Sequence, residues 1–218
     1  MIKAVVFDLD GTLLDTVPDI AGAMNRALAA CGLPTHDQKT VETFLGGGIR
    51  DAVTQASPKD TPEETLQQVL ELYRDDYIAN CTEKTALYDG VREMVERFAQ
   101  RGVPMVVLSN KTEATAQKIV RHFFPKGEFI AVYGRVPERP LKPHADAAKP
   151  VLDALHLAPE EIAYVGDSNT DILFAKTVGM TPVAAPWGYR SREELVEAGA
   201  KLIAEKPLDI YTLLERYM

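Results

Sequence analysis

The chain opens with an apolar run, Ala4-Val5-Val6-Phe7, that passes directly into Asp8-Leu9-Asp10-Gly11-Thr12-Leu13. A short unbroken apolar run predicts a strand buried on both faces, because both sets of alternating side chains must then be dry. The period changes after Leu13. Residues 18–30 repeat at helical spacing, with Ile20, Met24, Ala27 and Leu28 on one face and Gly32 as a stop. Residues 37–45 predict a shorter helix, broken by Gly46-Gly47-Gly48, and residues 49–56 a third. Thr61-Pro62-Glu63-Glu64 reads as a capping box with proline at the first helical position. It opens a long helix whose apolar face carries Leu66, Val69, Leu70, Tyr73, Tyr77 and Ile78. Residues 15–82 are therefore expected to be all helical.

From Tyr88-Asp89-Gly90 onward the two periods alternate. Helices are predicted over 91–102, 113–123, 145–156 and 170–178, and strands over 103–108, 129–133, 162–165 and 182–185. Two more helical stretches, 192–198 and 208–217, flank the short apolar run Leu202-Ile203-Ala204. Such alternation predicts an α/β fold, a parallel sheet with helices on both faces. The expected organisation is a core of residues 1–14 and 83–218 and an inserted, all-helical domain of residues 15–82.

Composition narrows the partners. The 218 residues include 24 Lys plus Arg against 32 Asp plus Glu, a net charge of −8. That balance disfavours nucleic acid and anionic membrane surfaces. Cys31 and Cys81 lie far apart, which suits packing in a reducing cytoplasm better than a disulfide framework. The start of the chain reaches its acidic motif too soon for a secretory signal. No stretch approaches the ~20 apolar residues of a membrane span.

The chemistry sits where strands end. In an open parallel sheet, ligands bind at the carboxyl ends of the strands. Asp8 and Asp10 fall at the first such end, where two carboxylates repel unless a positive group joins them. A hard divalent cation is the obvious one. After Met105-Val106-Val107-Leu108 come Ser109 and Asn110, a hydroxyl and a backbone N–H that suit phosphate oxygens, although taken alone the pair reads more readily as an ordinary helix cap. Lys142 stands between Pro140 and Pro143, whose rings restrict the backbone and fix where the lysine points. After Ile162-Ala163-Tyr164-Val165 comes Gly166-Asp167-Ser168-Asn169-Thr170-Asp171. One helical turn separates Asp167 from Asp171, so both can face one cavity.

Taken together, D-L-D-G-T, Ser109 with Asn110, Lys142 and G-D-S-N-T-D resemble the four motifs of the haloacid dehalogenase-like superfamily, over the whole chain. Leu108-Ser109-Asn110-Lys111, His122-Phe123-Phe124-Pro125 and Pro186-Trp187-Gly188-Tyr189 resemble its phosphoglycolate phosphatase-like branch. The resemblance implies a Rossmann-like core with a helical cap, and a phosphomonoester hydrolase acting on a small phosphorylated metabolite. It implies that Asp8 is the nucleophile and Asp10 the general acid and base. Mg²⁺ would be held by the Asp8 carboxylate, the Asp10 carbonyl and Asp167, with Asp171 orienting that shell. Ser109, the Asn110 amide and Lys142 would bind the phosphoryl group, with Thr12 beside them.

In the cap, Gly48 and Arg50 are expected at the mouth of the site. There Arg50 could grip a substrate carboxylate in a bidentate contact, or simply be a surface arginine after a helix-breaking linker. Lys111 is open between phosphate binding and helix initiation. The four histidines, at 36, 122, 144 and 156, lack metal-ligand spacing. A phosphosugar mutase and a pyrophosphate or nucleotide phosphatase fit the same motifs. A phosphoacceptor signalling domain shares the acid cluster, but lacks a helical insertion of this kind. A monomer and a homodimer are both compatible with the sequence.

Overall fold

The computed structural model describes residues 1–218. The chain folds as two compact units, Met1–Asp15 with Leu87–Met218, and Thr16–Ala86. In chain order the elements are β1 (Ala4–Phe7), β2 (Leu14–Asp15), α1 (Val17–Ala30), α2 (Gln38–Thr43), α3 (Ile49–Ala56), α4 (Glu63–Asn80) and β3 (Ala86–Leu87). Then follow α5 (Val91–Gln100), β4 (Met105–Thr112), α6 (Glu113–Phe123), β5 (Ala131–Arg135), α7 (Lys149–Leu155) and β6 (Ile162–Gly166). The chain ends with α8 (Asn169–Val178), β7 (Thr181–Ala184), α9 (Arg192–Glu197), β8 (Leu202–Ile203) and α10 (Pro207–Glu215).

The first unit is built on one six-stranded sheet, in the order β5-β4-β1-β6-β7-β8. All of its pairings are parallel. The alternation of strands and helices thus gives the predicted α/β architecture. Both faces of β1 are dry. Val6 joins a cluster with Val106, Tyr164, Val151 and Phe174 on one side. On the other, Phe7 meets Phe98 and Phe129 edge to face. Burying whole strands in this way favours the β-branched run seen in the sequence, since each such side chain contributes roughly 1.5–3 kcal/mol.

Several boundaries differ from the expectation, each for a local reason. Phe129 turns into the core against Phe7 and Phe124, so the strand starts only at Ala131. The Leu202-Ile203 run forms an edge strand beside β7. The expected helix over 145–156 is a 3₁₀ turn, Ala145–Ala148, followed by α7.

The second unit holds α1 to α4. Here the capping box at Thr61 is not formed. Pro62 sits at ψ 146, outside the helix, and takes the cap position itself. The Thr61 hydroxyl is then one residue too early, and it is buried without a hydrogen-bond partner. Asp19, in the first turn of α1, is buried at 5% exposure. It accepts from the backbone N–H of Lys84 at 3.0 Å, the N–H of Thr85 at 2.8 Å and the Thr85 hydroxyl at 2.8 Å. One carboxylate thereby ties the beginning of this unit to its end. Arg26 and Asp76 join α1 to α4 by a two-pronged ion pair, at 2.6 and 2.5 Å. No helix is long and apolar enough to cross a membrane.

Candidate active site

Three strands bring the acids together. Phe7 lies opposite Val107 of β4 and Val165 of β6. The pairing of β1 with these neighbours therefore ends beside Asp8, Leu108-Ser109 and Gly166-Asp167, which lie side by side, although β4 itself runs on to Thr112. Asp171 follows in the first turn of α8, where its carboxylate accepts from the N–H of Ser168 at 3.1 Å and from its hydroxyl at 2.5 Å. Carboxylate oxygens of Asp8, Asp167 and Asp171 all lie within 4.8 Å of one another.

Lys142 enters this group from a loop. Its Nζ donates to Asp171 Oδ1 and to the Tyr164 hydroxyl, each at 2.7 Å, and stands 3.1 Å from Asp8 Oδ1. The last contact is an ion pair, and Asp8 Oδ1 is buried with no other partner. Asn110 holds the lysine in place through its backbone. Asn110 Oδ1 accepts from Lys142 N at 2.8 Å, and Nδ2 donates to Lys142 O at 3.1 Å. The Lys142–Pro143 peptide is cis. Asn110 does not open a helix. It lies within β4, which runs on to Thr112, and α6 starts after it.

The electrostatics follow from burial. The Asp8 carboxyl is pushed up to about 6, chiefly by burial and then by the nearby Asp171 and Asp10, against the pull of Lys142. Burial drives Asp167 well above the usual carboxylate range, and Asp171 and Asp8 add to the rise. For Lys142, burial opposes the charge, but Asp171 and Asp8 together leave it above an ordinary lysine. Buried like charges disfavour ionisation until a cation joins them. Oxygen donors alone, on three carboxylates that share one lysine, fit a hard divalent metal ion.

A turn after β7 frames Asp167. Tyr189 N donates to Asp167 Oδ2 at 2.9 Å, and Trp187 Nε1 donates to Thr12 O at 3.1 Å. A Cβ at Gly188 would collide with the Gly11 carbonyl and the Asp167 carboxylate, so only glycine fits there. Thr12, expected among the substrate-binding residues, is 1% exposed, and its hydroxyl donates to Asp167 Oδ1 at 2.7 Å. Ser109 is 5% exposed, and its Oγ accepts from Lys111 N at 3.3 Å. Lys111 Nζ reaches Asp10 Oδ1 at 2.8 Å and Oδ2 at 2.9 Å.

Two of these residues carry little signal in the sequence. Lys111 is open there between two roles, neither of which is a contact with Asp10, and Tyr164 reads as one more residue of an apolar run. The hint for Tyr164 is a hydroxyl inside an otherwise dry strand, which needs a polar partner. In the second unit, Gly48 caps α3 at φ 93 and Arg50 pairs with Glu63, both side chains being largely exposed. His36 is bound to the carbonyl of Ala56 at 2.7 Å, and His122 lies against the ring of Phe123.

Comparison with known proteins places this geometry. Residues 5–185 match the family model described as haloacid dehalogenase-like hydrolase. A phosphoglycolate phosphatase of Chromobacterium violaceum is 30% identical, over 98% of this chain and 97% of its own. One from Vibrio parahaemolyticus is 31% identical, over 94% and 92%. A solved Haemophilus somnus structure, described as a predicted phosphoglycolate phosphatase, superposes with TM-score 0.90 at 28% identity, covering 97% of each chain.

Proposed function

The chain belongs to the haloacid dehalogenase-like hydrolases and is a phosphatase, and on that premise we propose that it hydrolyses a small phosphorylated acid, 2-phosphoglycolate first, through a phosphoryl group carried on Asp8. The observation that carries this reading is the state of Asp8. Its Oδ1 is buried 3.1 Å from the Lys142 ammonium and has no other partner. A carboxylate so placed is a nucleophile awaiting an electrophile.

An oxygen of Asp8 attacks phosphorus while the bond to the departing alcohol breaks. Asp10 gives that alcohol its proton. Asp10 then takes a proton from water as the water attacks the same phosphorus, and Asp8 is freed with release of phosphate. The Ser109 hydroxyl and the Asn110 backbone N–H donate to phosphoryl oxygens. Lys142 offsets charge at Asp8 and on the transferred group. Asp8, Asp167 and the Asp10 carbonyl would hold Mg²⁺, which when bound supplies further neutralisation of the phosphoryl oxygens. Thr12 and Tyr189 N fix Asp167, while Asp171 is held by Ser168, Tyr164 and Lys142. Residues 1–14 and 83–218 are the catalytic core, and residues 15–82 are a cap that selects the substrate. Gly48 and Arg50 are its candidate contacts, with Arg50 exchanging Glu63 for the substrate's carboxylate.

Phosphate release from small phosphorylated acids, sugars and nucleotides, each with Mg²⁺ and with EDTA, tests this proposal. Release should be fastest from 2-phosphoglycolate and should vanish in EDTA. No metal-dependent release from any of them, or conversion of a sugar phosphate to its isomer without free phosphate, would overturn it.

A further inference from the structure

Asp10 has to hand one proton to a departing oxygen and later collect another, and a free aspartate rotates about two side-chain bonds. Lys111 lies 101 positions away in sequence, yet its Nζ spans both Asp10 oxygens at 2.8 and 2.9 Å. The ammonium is nearly closed to solvent, with 7% of its side chain exposed against 19% for Asp10. Its backbone is equally constrained. The pairing of β4 with β5 shifts register between Leu108 and Thr112, the kind of irregularity that re-aims a side chain beside a site. A Cβ at Gly134 of β5 would strike the Lys111 carbonyl and the backbone of Glu113, so the two strands touch closely at this point. Lys111 N also donates to Ser109 Oγ at 3.3 Å.

We infer that Lys111 is a positioning residue for Asp10, holding its carboxylate by both oxygens and so fixing the plane in which that carboxylate meets the leaving group. The inference rests on the acid–base role proposed for Asp10. It separates Lys111 from Lys142, which pairs with Asp8 and Asp171. Nothing in the overall reaction changes: the proton given to the alcohol comes from Asp10, and Lys111 keeps its own.

The dependence on leaving group tests this. A well-placed general acid matters most when the departing oxygen is strongly basic. The measurement is kcat/KM, which covers steps up to transfer onto Asp8, across alkyl phosphates and substituted phenyl phosphates. Lys111→Met should lose roughly 10–100-fold on alkyl phosphates and under about threefold on p-nitrophenyl phosphate, part of the ~10²–10⁴ that general acid catalysis contributes. Lys111→Gln provides a second variant should the first fold poorly, and the slope against leaving-group basicity does not depend on how much enzyme is folded. A uniform loss over the series would overturn the inference, assigning Lys111 to the phosphoryl group or to the fold. So would a loss confined to phosphates that carry a carboxylate. Asp10→Asn distinguishes the two levels: if it leaves the slope and the rate unchanged, the role of Asp10 itself is wrong.

Discussion

Two aspartates show how differently this chain treats the same side chain. In the helical unit Asp19 accepts from two backbone N–H groups and a hydroxyl, and no other acid takes part in that network. In the α/β unit Asp8 is set against Asp167 and Asp171, and it shares the Lys142 ammonium with Asp171. The first arrangement satisfies a charge and ties chain segments together. The second crowds three acids around one lysine, which costs stability and is the mark of groups kept for chemistry. Ion pairs outside the cluster follow the structural pattern. Arg50–Glu63 is open to solvent, and pairs of that kind contribute at most about 1 kcal/mol.

If that contrast holds, substitutions at the two aspartates must have opposite signs. Asp8→Asn should lower turnover by about 10⁴-fold or more, as loss of a nucleophile does. In metal-free protein it should also raise the melting temperature, because one of three clustered carboxylates is gone. Asp19→Ala should do the reverse. It strands two buried N–H groups, at roughly 1–3 kcal/mol each, and about 3 °C of melting temperature accompanies each kcal/mol in a chain of this size. Calorimetric melting with parallel phosphate-release assays checks both. A destabilised Asp8→Asn protein would erase the distinction.

A smaller effect sharpens the contrast through pH. Asp8 has a folded-state pKa of about 6, against 3.8 for an unperturbed aspartate. The folded protein therefore binds more protons than the unfolded chain between these values, and stability from this group falls as pH rises. Metal-free protein should gain stability as pH drops from about 7.5 through 6. The melting shift produced by Mg²⁺ should shrink over the same interval. Asp76, lowered by its hydrogen bonds with Arg26, works in the opposite direction, and its contribution is lost only at more acid pH, below the ordinary carboxylate range. A Mg²⁺ shift that is unchanged between about pH 7.5 and 5.5 would contradict the burial argument.

Much of this is legible in the sequence, and the reason is physical. Buried parallel strands have to be apolar on both faces, so β1, β4 and β6 announce themselves, and the acids that follow them mark the strand ends. The sheet order brings those ends together, which is why motifs far apart in sequence form one cluster. What stays hidden depends on register and side-chain reach. Nothing local tells that Lys111 finds Asp10, that the Asn110 side chain grips the Lys142 backbone, or that Tyr164 turns its hydroxyl to Lys142. The unformed capping box at Thr61 shows the same limit at short range. The residue types suit a helix start, but Pro62 moves that start by one position.

Every other role assigned to the cluster depends on Asp8 taking the phosphoryl group. Hydrolysis of a 2-phosphoglycolate made chiral at phosphorus with oxygen isotopes is the direct measurement. Two successive in-line displacements predict that configuration is retained in the released phosphate. Inversion would mean that water attacks the substrate directly, and Asp8 would then not be the nucleophile.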